Sequence, residues 1–346
     1  MAPRAFICGL AGLTVSADER AFFKEAQPWG LILFKRNVSS PEQVAELVSS
    51  FRDIVGWRAP VLVDQEGGRV QRLGPPHWPK YPPGAVYGQL YAADPASGLQ
   101  AARLGSRLIA ADLQALGIDV DCLPLADVPV AGADAVIGDR AYGTEPGPVA
   151  AIAGAVAEGL LAGGVLPVLK HLPGHGRATA DSHLRLPVVD TDRATLESTD
   201  FAAFKPLAAL PLGMTAHVVF SAVDPVAPAT TSVTMVQEVI RNFIGFQGLL
   251  MSDDISMGAL SGSLAARSRA ALAAGCDVVL HCNGKLREME QVAAVLPELA
   301  GDAAARAAAA LRQRRTPEAI DITAARETFA TMVAAAPPPT QRMSVS

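Results

Sequence analysis

Eight short apolar runs punctuate the chain, and stretches of helical character separate them. The runs are RAFICGL (4–10), GLILF (30–34), APVLVDQ (59–65), GIDVDCLPL (117–125), VLPVLKH (165–171), PLGMTAHVVF (211–220), QGLLMSDD (247–254) and CDVVLHC (276–282). They are partly β-branched and mostly lack the in–out alternation of a half-exposed strand. Strands buried on both faces read this way, which points to a parallel sheet. Parallel neighbours need crossover connections, usually helices.

The intervening stretches supply those crossovers. In SSPEQVAELVSSFRDIVG (39–56), Ser40 can cap, Pro41 suits the first helical position, and Val44, Leu47, Val48, Phe51, Ile54 and Val55 form one apolar stripe. DPASGLQAARLGSRLIAADLQALG (94–117) is a second helix, closed by Gly117. A third contains Gly154–Gly163, a fourth is SVTMVQEVIRNFIG (232–245), and a fifth is SLAARSRAALAAG (263–275). An alanine-rich helix is expected over about 302–314. Strand and helix in alternation define the α/β class, and eight units suggest a (β/α)8 TIM barrel. A doubly wound open sheet is the alternative, because counting runs does not show closure. With 346 residues, half of them hydrophobic, one catalytic domain over 1–333 is expected, followed by a flexible tail over 334–346.

A net charge of −5 without blocks of like charge argues against nucleic-acid partners and against an anionic membrane surface. No apolar run reaches the ~18 residues of a membrane span, and MAPRAFICGLAGL lacks the pattern of a secretory leader. Cys8, Cys122, Cys276 and Cys282 include only one close pair, spaced C-x5-C, which is neither a zinc knuckle nor a redox pair. Reduced, buried cysteines in a cytoplasmic protein are expected, as a monomer or weak dimer.

In such a barrel the active site lies at the C-terminal strand ends. Polar residues collect there: Asp64 after the third run, Lys170 and His171 at the fifth, His217 late in the sixth, Asp253 and Asp254 at the seventh, His281 and Asn283 at the eighth. KHLPGHGRATADSH (170–183) holds three of the six histidines. Its Asp181 and His183 stand two apart, so in an extended loop the carboxylate can reach the ring and set its tautomer. Adjacent Asp253 and Asp254 point to opposite sides of a strand end, one towards the barrel mouth and one towards the loop. Gly67, Gly68, Gly174 and Gly176 fit either turns or close approach to a ligand. A metal held by His171, His175, Asp181 and His183 matches no compact ligand spacing, and Lys170 would repel a cation, so no metal is expected. No phosphate-binding G-x-x-x-x-G-K-[ST] motif occurs.

Four segments in order, VDQEGGRVQRL (63–73), IGDRAYG (137–143), KHLPGHGRATADSH (170–183) and MSDDISM (251–257), closely resemble the bacterial NagZ-type β-N-acetylhexosaminidases of glycoside hydrolase family 3. The likeness runs from about Ala5 to Gly284. It implies a TIM barrel with no cofactor. It also implies that Asp64, Arg72, Arg140, Lys170 and His171 bind the hydroxyls of a terminal N-acetylglucosamine. By the same likeness Asp253 is the nucleophile, His183 the general acid/base and Asp181 its orienting partner. The implied substrate is an N-acetylglucosaminyl-1,6-anhydro-N-acetylmuramyl peptide in cell-wall recycling. Two positions depart from the family pattern: Gly258, where relatives often carry a larger residue, and Leu172, often phenylalanine. A phosphorylase on the same scaffold, a metal-dependent hydrolase and a non-catalytic sugar-binding barrel remain as alternatives.

Overall fold

The computed structural model describes residues 2–338. Eight parallel strands close into a barrel in sequence order: β1 (Arg4–Cys8), β2 (Pro28–Leu33), β3 (Val61–Val63), β4 (Val120–Asp121), β5 (Leu166–Leu172), β6 (Leu212–Thr215), β7 (Leu249–Asp254) and β8 (Val278–His281). Each of the eight runs supplies one strand of the barrel. β8 pairs with β1 (Phe6 opposite Val279, Cys8 opposite His281), which closes the ring and removes the open sheet as an alternative.

The absence of alternation now has its physical reason. Successive side chains do point in opposite directions, but both directions are apolar. Ala5, Ile7, Ile32, Leu62, Val168, Met214 and Leu280 fill the barrel interior. Phe6, Cys8, Leu31, Leu33, Val61 and Val63 pack outward against the helices.

The helix over Pro41–Val55 begins as its sequence dictates: Ser40 Oγ accepts from the Gln43 amide, and Gly56 closes the end at φ 76°. Its stripe is buried at Val44, Leu47, Val48, Phe51 and Val55. Pro95–Gln114 is capped by Asp94, and Pro146–Ala162 packs beside it.

Three features differ from the expected pattern. The sixth run does not form one strand; Val219–Phe220 leave the barrel and pair with Val188–Val189. The fourth helix is a π-helix over Met235–Phe243, and the Ile244 amide bonds back to the Val239 carbonyl just after it. Beyond the alanine-rich helix, found at Gly301–Arg312, a further helix spans Ile322–Ala334. Asp321 caps it, and Phe329 packs towards Tyr81 and Tyr87. Of the tail expected over 334–346, residues 339–346 lie outside the described residues. No described helix is long and apolar enough to cross a membrane.

Candidate active site

The strand ends β2, β3, β5, β6, β7 and β8 open onto a cavity of about 360 Å³. Its construction starts at β3. Asp64 ends the strand, and the chain folds back as a two-stranded ribbon, Gln65–Gly67 against Val70–Gln71. Gly67 sits at φ 94° with the Pro82 carbonyl oxygen 2.3 Å from where a Cβ would be, so no other residue fits there. Buried Gln65 ties the turn together: its Oε1 accepts from the Arg72 and Leu73 amides, both at 3.0 Å, and its Nε2 donates to the Leu73 carbonyl at 2.8 Å.

That fold-back brings Arg72 Nη2 within 2.9 Å of Asp64 Oδ2. Lys170, from β5, then bridges two carboxylates, with Nζ 3.0 Å from Asp64 Oδ1 and 2.7 Å from Glu66 Oε1. Glu66 accepts a two-pronged bond from Arg140, Nε and Nη2 each at 2.8 Å. Burial opposes ionisation of Asp64, but Lys170 and Arg72 outweigh it and hold the carboxyl well below its usual range. Burial also opposes the charge on Lys170, while Glu66 and Asp64 keep it protonated. Three cations face two carboxylates, so the array presents several hydrogen-bond donors, with Asp64 as an acceptor, to the cavity. Asp121, on β4 beneath the array, accepts from the Gln65 amide at 3.0 Å, and burial pushes its carboxyl well above the ordinary value.

The array is costly to break, because a buried charge that loses its partner pays its desolvation unrelieved. Glu66→Ala, which strands Arg140 and takes one of the two carboxylates from Lys170, is expected to lower unfolding free energy by about 3–5 kcal/mol. Urea denaturation followed by circular dichroism checks this; a loss under about 1 kcal/mol, the value for surface pairs, contradicts it.

His171 lies beside Lys170 on β5. Its Nδ1 is 2.7 Å from Asp127 Oδ2, while Asp127 Oδ1 accepts from the His175 amide at 2.7 Å. An ionised partner makes Nδ1 the donor and leaves Nε2 free on the cavity side. Burial resists charge on Asp127, and His171 and His175 outweigh it to hold the carboxyl below the usual range.

Asp253 and Asp254 divide as their adjacency requires. Asp254 accepts from the Ser256 amide and hydroxyl and from the Cys282 amide (3.0, 2.6 and 3.1 Å), which ties β7 to the end of β8. Among the described residues, the one hydrogen bond to the Asp253 carboxylate comes from the Asp254 amide, 2.7 Å from Oδ1, and none reaches Oδ2. Burial works against its charge, but His217, His171, the Asp254 amide and His183 together hold the carboxyl below its ordinary value. It lines the cavity as a carboxylate with an oxygen open to a ligand.

On the loop after β5, Asp181 Oδ1 lies 2.7 Å from His183 Nδ1 and accepts the His183 amide at 2.8 Å. The His183 side chain is 64% exposed. Its Nδ1 is committed to the carboxylate, so Nε2 is the nitrogen available to a ligand.

The rim residues thus separate. Asp64, Arg72, Arg140, Lys170, His171, Asp181, His183 and Asp253 all line the cavity. His217, His281 and Asn283 do not: His217 bonds to Thr230 Oγ1 and the Asp254 carbonyl, and the other two reach Glu288. Glu66, Asp127 and Gln65 hold the cavity residues in place and are not singled out by the sequence reading. Glu66 lies inside VDQEGGRVQRL, and Asp127 just past the fourth run, so proximity to a strand end is the available signal. Among the described residues no cluster of three or more His, Cys, Asp or Glu is arranged to hold a metal ion.

Comparison with known proteins identifies the family. The family described as "Glycosyl hydrolase family 3 N terminal domain" matches residues 7–314. The β-hexosaminidase of Alkalilimnicola ehrlichii is 40% identical over 297 residues, 84% of this chain and 83% of that protein. A glycoside hydrolase family 3 β-N-acetylglucosaminidase from Paenibacillus sp. str. FPU-7 superposes with a TM-score of 0.85 at 27% identity, covering 95% of this chain and 67% of that one. NagZ from Neisseria gonorrhoeae, in complex with N-trifluoroacetyl-D-glucosamine, superposes with a TM-score of 0.83 at 30% identity, covering 96% of this chain and 97% of that one.

Proposed function

This chain belongs to glycosyl hydrolase family 3, and we propose that it is a retaining, exo-acting β-N-acetylglucosaminidase whose covalent intermediate forms on Asp253. As a β-N-acetylhexosaminidase it hydrolyses glycosides of N-acetylated sugars. The observation that carries the finer reading is the division of one cavity into an ion-paired array around Asp64, an ionised Asp253 with a free oxygen, and an exposed Asp181–His183 pair.

The array suits the hydroxyls of a single terminal sugar. Asp64 accepts, while Arg72, Arg140, Lys170 and His171 Nε2 donate. A cavity of about 360 Å³ is at the small end for ligand sites and fits one ring better than a chain. Asp253 attacks the anomeric carbon as its bond to the leaving oxygen breaks through an oxocarbenium-like transition state. That oxygen takes a proton from His183 Nε2. Neutral His183 then removes a proton from water, which attacks the glycosyl ester and frees Asp253. Asp181 holds the ring in the required tautomer throughout.

The substrate we assign is the non-reducing N-acetylglucosamine of a muropeptide, GlcNAc-1,6-anhydroMurNAc-peptide, handled during peptidoglycan recycling in the cytoplasm. The motif likeness to NagZ-type enzymes supports it, and four unpaired cysteines suit a reducing compartment.

The test is release of the aryl group from an aryl β-N-acetylglucosaminide against the matching β-glucoside. Strong preference for the former, with free sugar as product even in added phosphate, is expected; glycosyl phosphate would identify a phosphorylase. Because protons pass through an imidazole, the rate should be unchanged after EDTA treatment, and inactivation by the chelator would contradict the assignment.

A further inference from the structure

The segment that carries His183 is held to the barrel in two unequal halves. Its first half is well fastened. Arg177 reaches Asp200 Oδ2 at 2.6 Å and Thr199 Oγ1 at 3.0 Å, and the Gly176 and Ala178 carbonyls accept from the Val130 and Asp134 amides. The second half, 181–184, is a turn in which the Leu184 and Arg185 amides donate to the Asp181 carbonyl, and among the described residues it makes three hydrogen bonds beyond that turn. His175 Nε2 meets Ser182 Oγ at 2.9 Å, the Ala259 amide donates to the Ser182 carbonyl at 3.1 Å, and the Gly258 amide donates to the His183 carbonyl at 3.1 Å.

Ser182 therefore stands between the two members of the Asp–His pair and is 2% exposed, while Asp181 and His183 on either side face solvent. Its hydroxyl and its carbonyl are each bonded to a different part of the barrel rim. Gly258 adds a steric condition. A Cβ there would lie 2.7 Å from the Leu184 carbonyl oxygen and 2.9 Å from that of His183, closer than real Cβ contacts come. Gly258 is exposed and its φ is not positive, so a side chain is allowed by its own backbone, and the three atoms nearest its Cβ all belong to the histidine loop.

We infer that His175, Ser182 and the Gly258–Ala259 edge form a latch that positions the Asp181–His183 pair over the cavity, making them positioning residues for proton transfer. The inference rests on His183 being the acid/base. His175 is suited to its part: burial, with help from His171, lowers its pKa to about 4, so it stays a neutral hydrogen-bonding partner for Ser182 at working pH. Neither His175 nor Ser182 needs to touch the reacting atoms.

The experiment compares the wild-type enzyme with Ser182→Ala and Gly258→Val on two substrates. One is a dinitrophenyl β-N-acetylglucosaminide, whose leaving group needs no proton; the other is a β-linked N-acetylglucosaminyl disaccharide, whose leaving group does. Each variant is expected to lose about 10-fold or more in kcat/KM on the disaccharide, a fraction of the ~10²–10⁴-fold that general acid catalysis supplies. On the dinitrophenyl glycoside kcat/KM is expected to stay within about twofold, with kcat reduced because deglycosylation lacks its base. Equal losses of kcat/KM on both substrates would mean general damage to the cavity and overturn the latch, as would full activity on both. Gly258→Val changes an exposed loop position, so it keeps the test valid if Ser182→Ala folds poorly. A wild-type enzyme inactive on both glycosides would instead overturn the functional reading beneath the inference.

Discussion

Asp253→Ala is expected to lower kcat by on the order of 10⁴-fold or more, on every substrate and at every pH at which the fold persists. The size follows from what is removed. Without the carboxylate there is no covalent path, and no neighbouring group replaces it: Asp254 is bound to Ser256 and the Cys282 amide. The fold should tolerate the change, because among the described residues the carboxylate accepts just the adjacent Asp254 amide. Circular dichroism and thermal melting close to wild type, together with lost turnover, are the expected pair of results. Wild-type turnover in this variant would remove Asp253 as the nucleophile. Asp254→Ala should behave in the opposite sense, loosening the junction of β7 with β8 and lowering stability more than it alters the chemistry.

The second large effect is expected at His183, and it depends on the leaving group. His183→Ala should cut kcat/KM by about 10²–10⁴-fold on a β-linked disaccharide, because the departing sugar oxygen then leaves unprotonated. A dinitrophenolate leaves without a proton, so its kcat/KM should be nearly unchanged. Its kcat should fall sharply, since hydrolysis of the glycosyl-enzyme loses its base. A burst of dinitrophenol followed by slow turnover is the signature, visible by stopped-flow absorbance. Equal losses of kcat/KM on both substrates would count against the acid role. Asp181→Asn should show a weaker form of the same pattern, because the amide still occupies the space but no longer supports an imidazolium.

The barrel was readable in the sequence because its strands are apolar on both faces. Ile7 and Phe6 differ in direction and not in character, and that lack of alternation is itself the mark of a parallel sheet covered by helices. The ends of the runs marked the site for the same reason: a strand that abruptly gains Asp64, Lys170 or Asp253 has reached the rim. What the sequence left dark depends on distance along the chain. Glu66 meets Arg140 across 74 residues, and nothing local to either announces the pairing. Asp127 lies just past the fourth run, and nothing beside it in the sequence announces that it meets His171 Nδ1. His217 shows the converse error. It sits at a strand end like the cavity residues, yet its ring is buried between Thr230 and the Asp254 carbonyl. The π-helix over Met235–Phe243 was likewise hidden, since its apolar spacing reads as an ordinary helix.

The most direct test of the mechanism uses the His183→Ala enzyme as its own trap. With the base gone, the glycosyl-enzyme formed from a dinitrophenyl β-N-acetylglucosaminide should accumulate, and intact-mass measurement after rapid acid quench should show one added N-acetylglucosaminyl group. Peptide mapping is expected to place it on Asp253. Absence of an adduct despite a burst of dinitrophenol, or an adduct on any other residue, would contradict the account.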